Sequence, residues 1–362
     1  MSHLCVCKAD EDLEDEDDLP TYNPKPPEVT IAIDERAALL GVTRCTLRNM
    51  LKFKLPILFL AILFYLTQGR ECGPEIKGVE YFSGVASIKR AFEDRGSAFE
   101  TFDKNAGKHE NINVDQGFIT AVDKGLRTTA SDPFAFFAPK CSSWVWVNRG
   151  SSKRSPWEPL GDTSKKWVRR ANLMVWRTLL LVMFIICKGG RYMLEQPSSS
   201  IMDEHPAFDP LIALAVAKKC RLLMVSTWLG LFGAPSPKCI KIYTNTAAAK
   251  QVKRTFNRSD SEAFVDGVRA NTHKWINDYG EEKHNGNKGA LGDSQAYPDE
   301  FGRAVAEAVL ESENDTGLDD SDSDCDEDLE GKLSEVEWDQ CELEDTLFKK
   351  HKEKQIQHIS NV

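Results

Sequence analysis

The chain has 362 residues and a net charge of −10, spread very unevenly. Residues 1–27 carry eight acids against two lysines, residues 311–345 carry seventeen acids against Lys332 alone, and residues 346–362 carry four lysines against one glutamate, which leaves +9 on residues 28–310. The two acidic ends have too few aromatic and branched residues to bury a core, which excludes a folded domain there and predicts disordered tails of 1–27 and 311–362 around a basic middle. Such tails read first as solvating segments and second as polyanion mimics that compete for that middle. The ten cysteines show no zinc-ribbon spacing, and Cys5-Val-Cys7 is too close to form half of one. The acidic start lacks the basic region of a secretory signal. Reduced thiols and an intracellular protein, nuclear or cytoplasmic, are expected.

Residues 28–77 read as a leader. A helix over 34–49 is followed by an apolar run over 55–66, itself preceded by Arg44, Arg48, Lys52 and Lys54. About twelve apolar residues fall short of the roughly 20 that span a bilayer, so an anchor at 52–66 is the weaker reading of this run. A regular pattern then begins. Val79–Phe82 reads as a strand, Gly84 as a turn, and Ser87–Arg95 as a helix that Gly96 closes. Ala98–Phe102 reads as the second strand, Gly117–Gly125 as a helix and Phe134–Ala138 as the third strand. A long helix covers Lys165–Cys187, and its apolar half, again too short to span, suits a buried helix. Strand Arg191–Leu194, helix Asp209–Cys220, strands Leu222–Thr227 and Ile240–Tyr243, and helix Phe301–Leu310 complete the series. Alternating strands and helices predict an α/β domain over residues 78–310, a Rossmann-like, doubly wound, mostly parallel sheet with helices on both faces. Ligands of such sheets sit beyond the carboxyl ends of the strands, so the residues just after each strand carry the interest.

Four segments stand in those places. Val79-Glu-Tyr-Phe-Ser-Gly-Val-Ala-Ser87 joins the first strand to the first helix by small residues, which lets a ligand approach the backbone and offers it helix amides. Phe102-Asp103 ends the second strand, where an aromatic can stack on adenine and an acid can accept from ribose hydroxyls, or cap a helix. Together, in this order, they favour nucleoside binding. Ala138-Pro-Lys-Cys-Ser-Ser-Trp144 and Leu194-Glu-Gln-Pro197 follow later strands. Taken singly, Cys141 reads as a small buried hydrophobe and Glu195 as a strand-end cap. The basic run 149–177 reads as an exposed helix face.

At these segments the chain resembles the DNA cytosine-5 methyltransferases. Phe82-Ser-Gly-Val-Ala86 is similar to the family's Phe-x-Gly-x-Gly, Thr101-Phe-Asp-Lys104 to the end of its second strand, and Pro139-Lys-Cys-Ser142 to its Pro-Cys-Gln. Glu195-Gln-Pro197 resembles Glu-Asn-Val-Pro, and Gln295-Ala-Tyr-Pro298 resembles the Gly-Asn-Ala-Val-Pro that precedes the last helix. The resemblance implies S-adenosylmethionine as cofactor, held by Phe82, Ser83, Gly84, Val85, Phe102, Asp103, Asp115 and Pro139. It implies Cys141 as a thiolate adding to cytosine carbon 6, with a thiol pKa lowered by neighbours such as Lys140 and Arg149, and Glu195 as acid and hydrogen-bond partner of the ring nitrogen. It implies a nucleic-acid partner, DNA before RNA, whose phosphates meet Arg149, Lys153, Arg154, Arg254 and Arg258. The departures are Lys140 inserted before Cys141, Ser142 for Gln, Ala86 for Gly and Thr101 for an acid. A degenerate, non-catalytic fold that binds nucleic acid or protein is the alternative, and a protein anchored by 52–66 is a third reading.

Overall fold

The structure, a computed structural model, describes Leu40, residues 42–53, Phe59 and residues 73–129, 131–217, 219–257, 272–276, 282–286 and 296–312. The acidic tails lie outside these residues except for Glu311 and Ser312, which end the last helix rather than begin a tail. Nearly all of the apolar run at 52–66 and most of the segment between Asn257 and Ala296 lie outside as well.

The first helix, α1 (Arg44–Lys52), begins where the Thr43 hydroxyl accepts the amide of Thr46 at 3.0 Å, a side-chain cap that fixes its start. Leu47 and Met50 turn inward, and the Asn49 side chain donates to the carbonyl of Cys187 at 3.1 Å. Phe53 and Phe59 are buried too, Phe59 against Phe118 and Phe184 with centroids 6.4 and 5.2 Å away. These residues of the leader therefore add to the core of the domain, and the two described aromatics within 52–66, Phe53 and Phe59, serve protein packing.

The domain then runs β1 (Gly78–Tyr81), α2 (Ser87–Glu93), β2 (Phe99–Phe102), α3 (Asp115–Leu126), β3 (Phe134–Phe137), α4 (Lys166–Cys187), β4 (Arg191–Pro197), α5 (Asp209–Val216), β5 (Leu223–Trp228), β6 (Cys239–Thr244) and α6 (Asp299–Glu311), with a hairpin of β7 (Thr272–Ile276) and β8 (Glu282–Gly286) before α6. The strands of the main sheet lie in the order β2-β1-β3-β4-β6-β5. β1 pairs in parallel with both β2 and β3, and β3 with β4, while β6 is antiparallel to both neighbours. The sheet is therefore mostly parallel and doubly wound, as the alternation of elements predicts. Four details differ from the expectation. Within the described part of 34–49 the expected helix begins only at Arg44, and the one expected over Asp209–Cys220 ends at Val216. β4 runs on through Pro197, because β6 pairs with it as far as Pro197↔Ile240, so Glu195 and Gln196 lie within a strand. The β7–β8 hairpin is not among the expected elements, although Asn277, Asp278 and Gly280 between its strands are residues that favour turns.

Strand alternation sends side chains to two cores. Val79, Tyr81, Ala135, Phe137, Tyr192 and Leu194 face α3, α4 and α5, whereas Phe134, Phe136, Met193 and Ile242 face α2 and α6. By length and composition α4 could cross a membrane, but its apolar residues lie mostly inside the protein, as in a core helix. On the other face α6 lies tight against α2. A Cβ on Gly302 would come within 2.4 Å of the Ser87 carbonyl, so only glycine permits this approach. The fully buried Arg191 ties the far end of α6 to the sheet, donating to the carbonyls of Val309 and Ser312 at 2.9 Å each and to both carboxylate oxygens of Asp132. Without the guanidinium, Asp132 keeps Lys77 Nζ at 2.6 Å, but the Val309 and Ser312 carbonyls lose this donor in the interior. Arg191→Met is expected to cost about 3–5 kcal/mol, read as a lowered urea midpoint with an unchanged slope.

Candidate active site

The strand order reverses between β1 and β3, which makes the carboxyl ends of these two strands the topological switch point where a crevice forms. After β1 the chain turns through Phe82, Gly84 and Ala86, all left-handed at φ 62°, 52° and 59°. For the two residues with a Cβ this conformation costs on the order of 1 kcal/mol each, strain of the kind that collects at functional sites. The turn is fixed from β2. The amides of Phe82 and Ser83 donate to the Phe102 carbonyl at 2.6 and 3.4 Å, and that of Gly84 donates to Asp103 Oδ2 at 3.0 Å. Asp103 Oδ1 accepts from Asn105 at 2.8 Å. A carboxylate has about four acceptor positions, so Asp103 retains capacity for a ligand. Beyond the turn there is room, since a Cβ on Gly84 would meet nothing within 4 Å. Phe82, Ser83, Gly84, exposed Val85 and Asp103 thus lie together around an open crevice.

Two expectations for this crevice are corrected. Phe102 is 1 % exposed and tilted onto Tyr81 in the core, so its ring is not presented to an adenine. The N-terminal amides of α2, expected to be free for a ligand, belong to Glu80. This buried carboxylate in the middle of β1 accepts from Lys89 at 2.8 Å and also from the amide of Ile88. Burial outweighs these bonds and pushes its pKa from 4.5 up to about 7. Its other oxygen, Oε1, is buried without a hydrogen bond.

On the same side of the sheet stands Glu195, two residues after Met193 on β4 and also buried. Its Oε2 accepts the hydroxyl of Tyr297 at 2.7 Å, and its Oε1 lies 3.7 Å from Lys238 Nζ. Tyr297 precedes α6, packs on Phe136 and Phe301, and accepts the Ser87 hydroxyl on its carbonyl at 2.7 Å. That bond joins the Glu195 cluster to the end of the β1 turn. Cys141 completes the group. Its free thiol is half-buried and within electrostatic range of Glu195, Lys238 and Tyr297. The loop carrying it is held from β4, where Gln196 Nε2 donates to the Pro139 carbonyl at 2.8 Å and Gln196 Oε1 accepts from Ser200. Pro139 is buried and positions this loop. Burial is the largest influence on the Cys141 thiol and pushes its pKa up; Lys238 and Lys140 pull it down, and Glu195 pushes it up. The expected lowering by basic neighbours is therefore outweighed in the free protein, and Arg149 does not contribute to it.

The remaining predicted residues disperse. Asp115 starts α3 and pairs with Arg177 on α4. Arg154 is 2 % exposed, stacked 3.5 Å over the Trp144 ring and bonded to Ser143, Pro159 and Val168, so it packs the loop and faces no phosphate. Arg254 reaches Glu300 at 3.0 Å and the Leu231 carbonyl and stacks on Phe232, which leaves it only part-exposed. Arg149 is half-exposed and Lys153 exposed, both beyond the Cys141 turn. Arg258 lies outside the described residues. Three members of the cluster were not singled out in the sequence: Glu80, Lys238 and Tyr297. Glu80 left a signal there, a carboxylate inside an otherwise apolar strand, and Tyr297 lies within the Gln295–Pro298 segment that carries part of the resemblance.

Because the folded-state pKa of Glu80 lies above its unfolded value, its protonated form stabilises the fold fully below about pH 4.5, and that contribution is lost as pH rises through about 7. His205, buried edge-on to Trp144, has the opposite sign. Burial lowers its pKa from 6.5 to about 3, so stability falls as pH drops below 6.5. The two slopes oppose each other between 4.5 and 6.5, so the Glu80 effect is read by difference. From pH 4.5 to 7.5, Glu80→Gln is expected to gain about 3 kcal/mol relative to wild type in urea unfolding. A constant difference would place the Glu80 carboxyl in water.

No protein-family model matches the chain, and no curated protein matches it. Among solved structures it is similar to the Entamoeba histolytica methyltransferase EhMeth, with 11 % identity and a TM-score of 0.30 over 48 % of this chain. The chain spans about half the length of that structure, 53 %.

Proposed function

We propose that this protein is an S-adenosylmethionine-dependent methyltransferase acting on carbon 5 of a cytosine base in nucleic acid. The observation that carries the reading is the meeting of Cys141 and Glu195 in one buried cluster beside the strained β1 turn, at the switch point of a doubly wound sheet. The crevice fits the cofactor in two respects. It is open above Gly84, and Asp103 at its edge keeps spare acceptor positions, as suits a ligand with hydroxyls.

S-adenosylmethionine supplies an electrophilic methyl group when bound. The protein's part is to make carbon 5 nucleophilic. Cys141 Sγ, as thiolate, bonds to carbon 6, and the electron pair of the 5,6 double bond moves toward carbon 5. Glu195, held in orientation by the Tyr297 hydroxyl, acts as an acid and gives a proton to the ring nitrogen as negative charge develops there. Once carbon 5 carries the methyl group, loss of its proton to water and departure of Cys141 Sγ from carbon 6 restore the double bond and free the thiolate. Lys238, 3.7 Å from Glu195 Oε1, is the stronger of the two lysines that pull the Cys141 thiol toward its thiolate. A base reaches such a pocket only when it is unstacked. A second reading, a methyltransferase-shaped module without turnover, draws on the upward shift of the Cys141 thiol, which disfavours its reactive form.

Calorimetric titration with S-adenosylmethionine is expected to give saturable binding that Asp103→Ala abolishes and Cys141→Ala retains. A folded protein that binds none would overturn the reading. With a cytosine-bearing strand and labelled cofactor, Cys141→Ala is expected to remove transfer and Glu195→Gln to slow it by about 10²–10⁴-fold. Tyr297→Phe removes one hydrogen bond to a charged group and is expected to slow it by about 10–100-fold. Cofactor binding without turnover would select the second reading.

A further inference from the structure

Among the described residues, most of the large apolar side chains left in water fall in one stretch, between the Cys141 turn and the middle of α4. Trp146 is 55 % exposed, Trp157 66 % and Trp176 42 %, with Leu160 and Leu173 exposed beside them. The placement is built. Asn172 on α4 donates to the Leu160 carbonyl at 3.0 Å, Lys165 reaches the Ser151 carbonyl at 2.6 Å, and Asp162 donates to the Ser152 carbonyl at 2.8 Å, so the loop lies down along the first turns of the helix. Residues 169, 173 and 176 share one face of α4 by helical spacing. Trp176 rests edge-on against buried His205, which rests edge-on against Trp144, the residue three after Cys141. The exposed aromatic surface therefore begins beside the Cys141 turn and runs away from it.

Its charge is as distinctive as its apolarity. Residues 144–177 hold eight lysines and arginines against two acids. Arg154 is buried and Arg177 paired with Asp115, while Lys153, Lys166 and Arg169 stay exposed among the tryptophans. Tryptophans interleaved with cations suit a ligand that presents flat apolar rings on a polyanionic backbone. An unpaired nucleic-acid strand does so, because its bases have free faces. A duplex hides those faces and offers only phosphates here.

We propose that the face formed by Trp146, Trp157 and Trp176 binds single-stranded nucleic acid by stacking its bases, with Lys153, Lys166 and Arg169 on the phosphates. This rests on the methyltransferase reading only for what is done to the strand. The binding itself needs neither cofactor nor thiol. It names unpaired cytosine as the substrate, since a strand running along this face delivers an already unstacked base toward Cys141.

The test is fluorescence anisotropy of labelled oligothymidylate and oligouridylate, and of a duplex of equal length, with the full chain at several salt concentrations. The single strand is expected to bind more tightly than the duplex. Trp146→Ala and Trp157→Ala, both far enough exposed to leave thermal unfolding unchanged, are each expected to weaken it by about 5- to 150-fold. Lys153→Ala is expected to flatten the salt dependence by roughly 0.7 in the logarithmic slope. The proposal fails if the tryptophan variants bind the strand as wild type does, or if the duplex binds as tightly. It fails too if the protein sediments with phosphatidylserine vesicles and ignores the oligonucleotide. Strand binding without any S-adenosylmethionine binding would leave it standing and remove the methyltransferase reading instead.

Discussion

Tyr297 makes two hydrogen bonds on which the candidate site depends: its hydroxyl holds Glu195 and its carbonyl holds Ser87. It comes to β4 and to the β1 turn from the far end of the sequence. Its ring fills the space between Phe136 and Phe301, so it cannot withdraw without opening the core. Burial makes the two bonds matter. In a low-dielectric interior, a carboxylate with one oxygen satisfied and the other facing a lysine at 3.7 Å has little freedom to reorient. The orientation of Glu195 is thereby set by packing that lies outside the crevice itself.

Two buried carboxylates on one face of one sheet, Glu80 and Glu195, follow from the parity of the strands. Glu80 lies between Val79 and Tyr81, which face the opposite core, and Glu195 follows Leu194 in the same alternation. Both therefore point to the side of α2 and α6. Glu80 serves α2 by accepting its first amides; Glu195 serves the crevice. A thiol, a lysine and a tyrosine hydroxyl lie among them, and burial dominates the resulting proton affinities.

Much of this was legible in the sequence where a local rule governs. The strands after Gly78, Ala98 and Pro133 and the long helix ending at Gly189 are set by apolar period and punctuation, and the structure follows them within a few residues. Cys141 stands just beyond β3, where the strand-end rule looks for it, whereas Glu195 lies inside β4 and shares the neighbourhood for a reason that rule does not give. What escaped depends on partners remote in sequence. The extension of β4 through Pro197 needs β6, forty residues later, and the role of Tyr297 needs the return of the chain to β1. Arg154 looked like a phosphate contact because composition does not reveal that Trp144 lies beneath its guanidinium. Phe102 looked available to adenine because a strand-end aromatic carries no mark of the face it turns to. The thiol shift also escaped, since basic neighbours can be counted in a sequence and burial cannot.

The sheet order has a consequence for how the molecule is made. β1, β2, β3 and β4 can pair as soon as residue 197 has emerged, but β5 has no partner until β6 follows and slots between it and β4. Such long-range closure is slow compared with local helix formation. On the ribosome, the parallel half of the sheet is thus available well before β5 and β6 close the other edge, and Tyr297 follows later still. Until residue 297 has emerged, Glu195 lacks the hydroxyl that holds it, so the site can close only after about a hundred further residues have followed it.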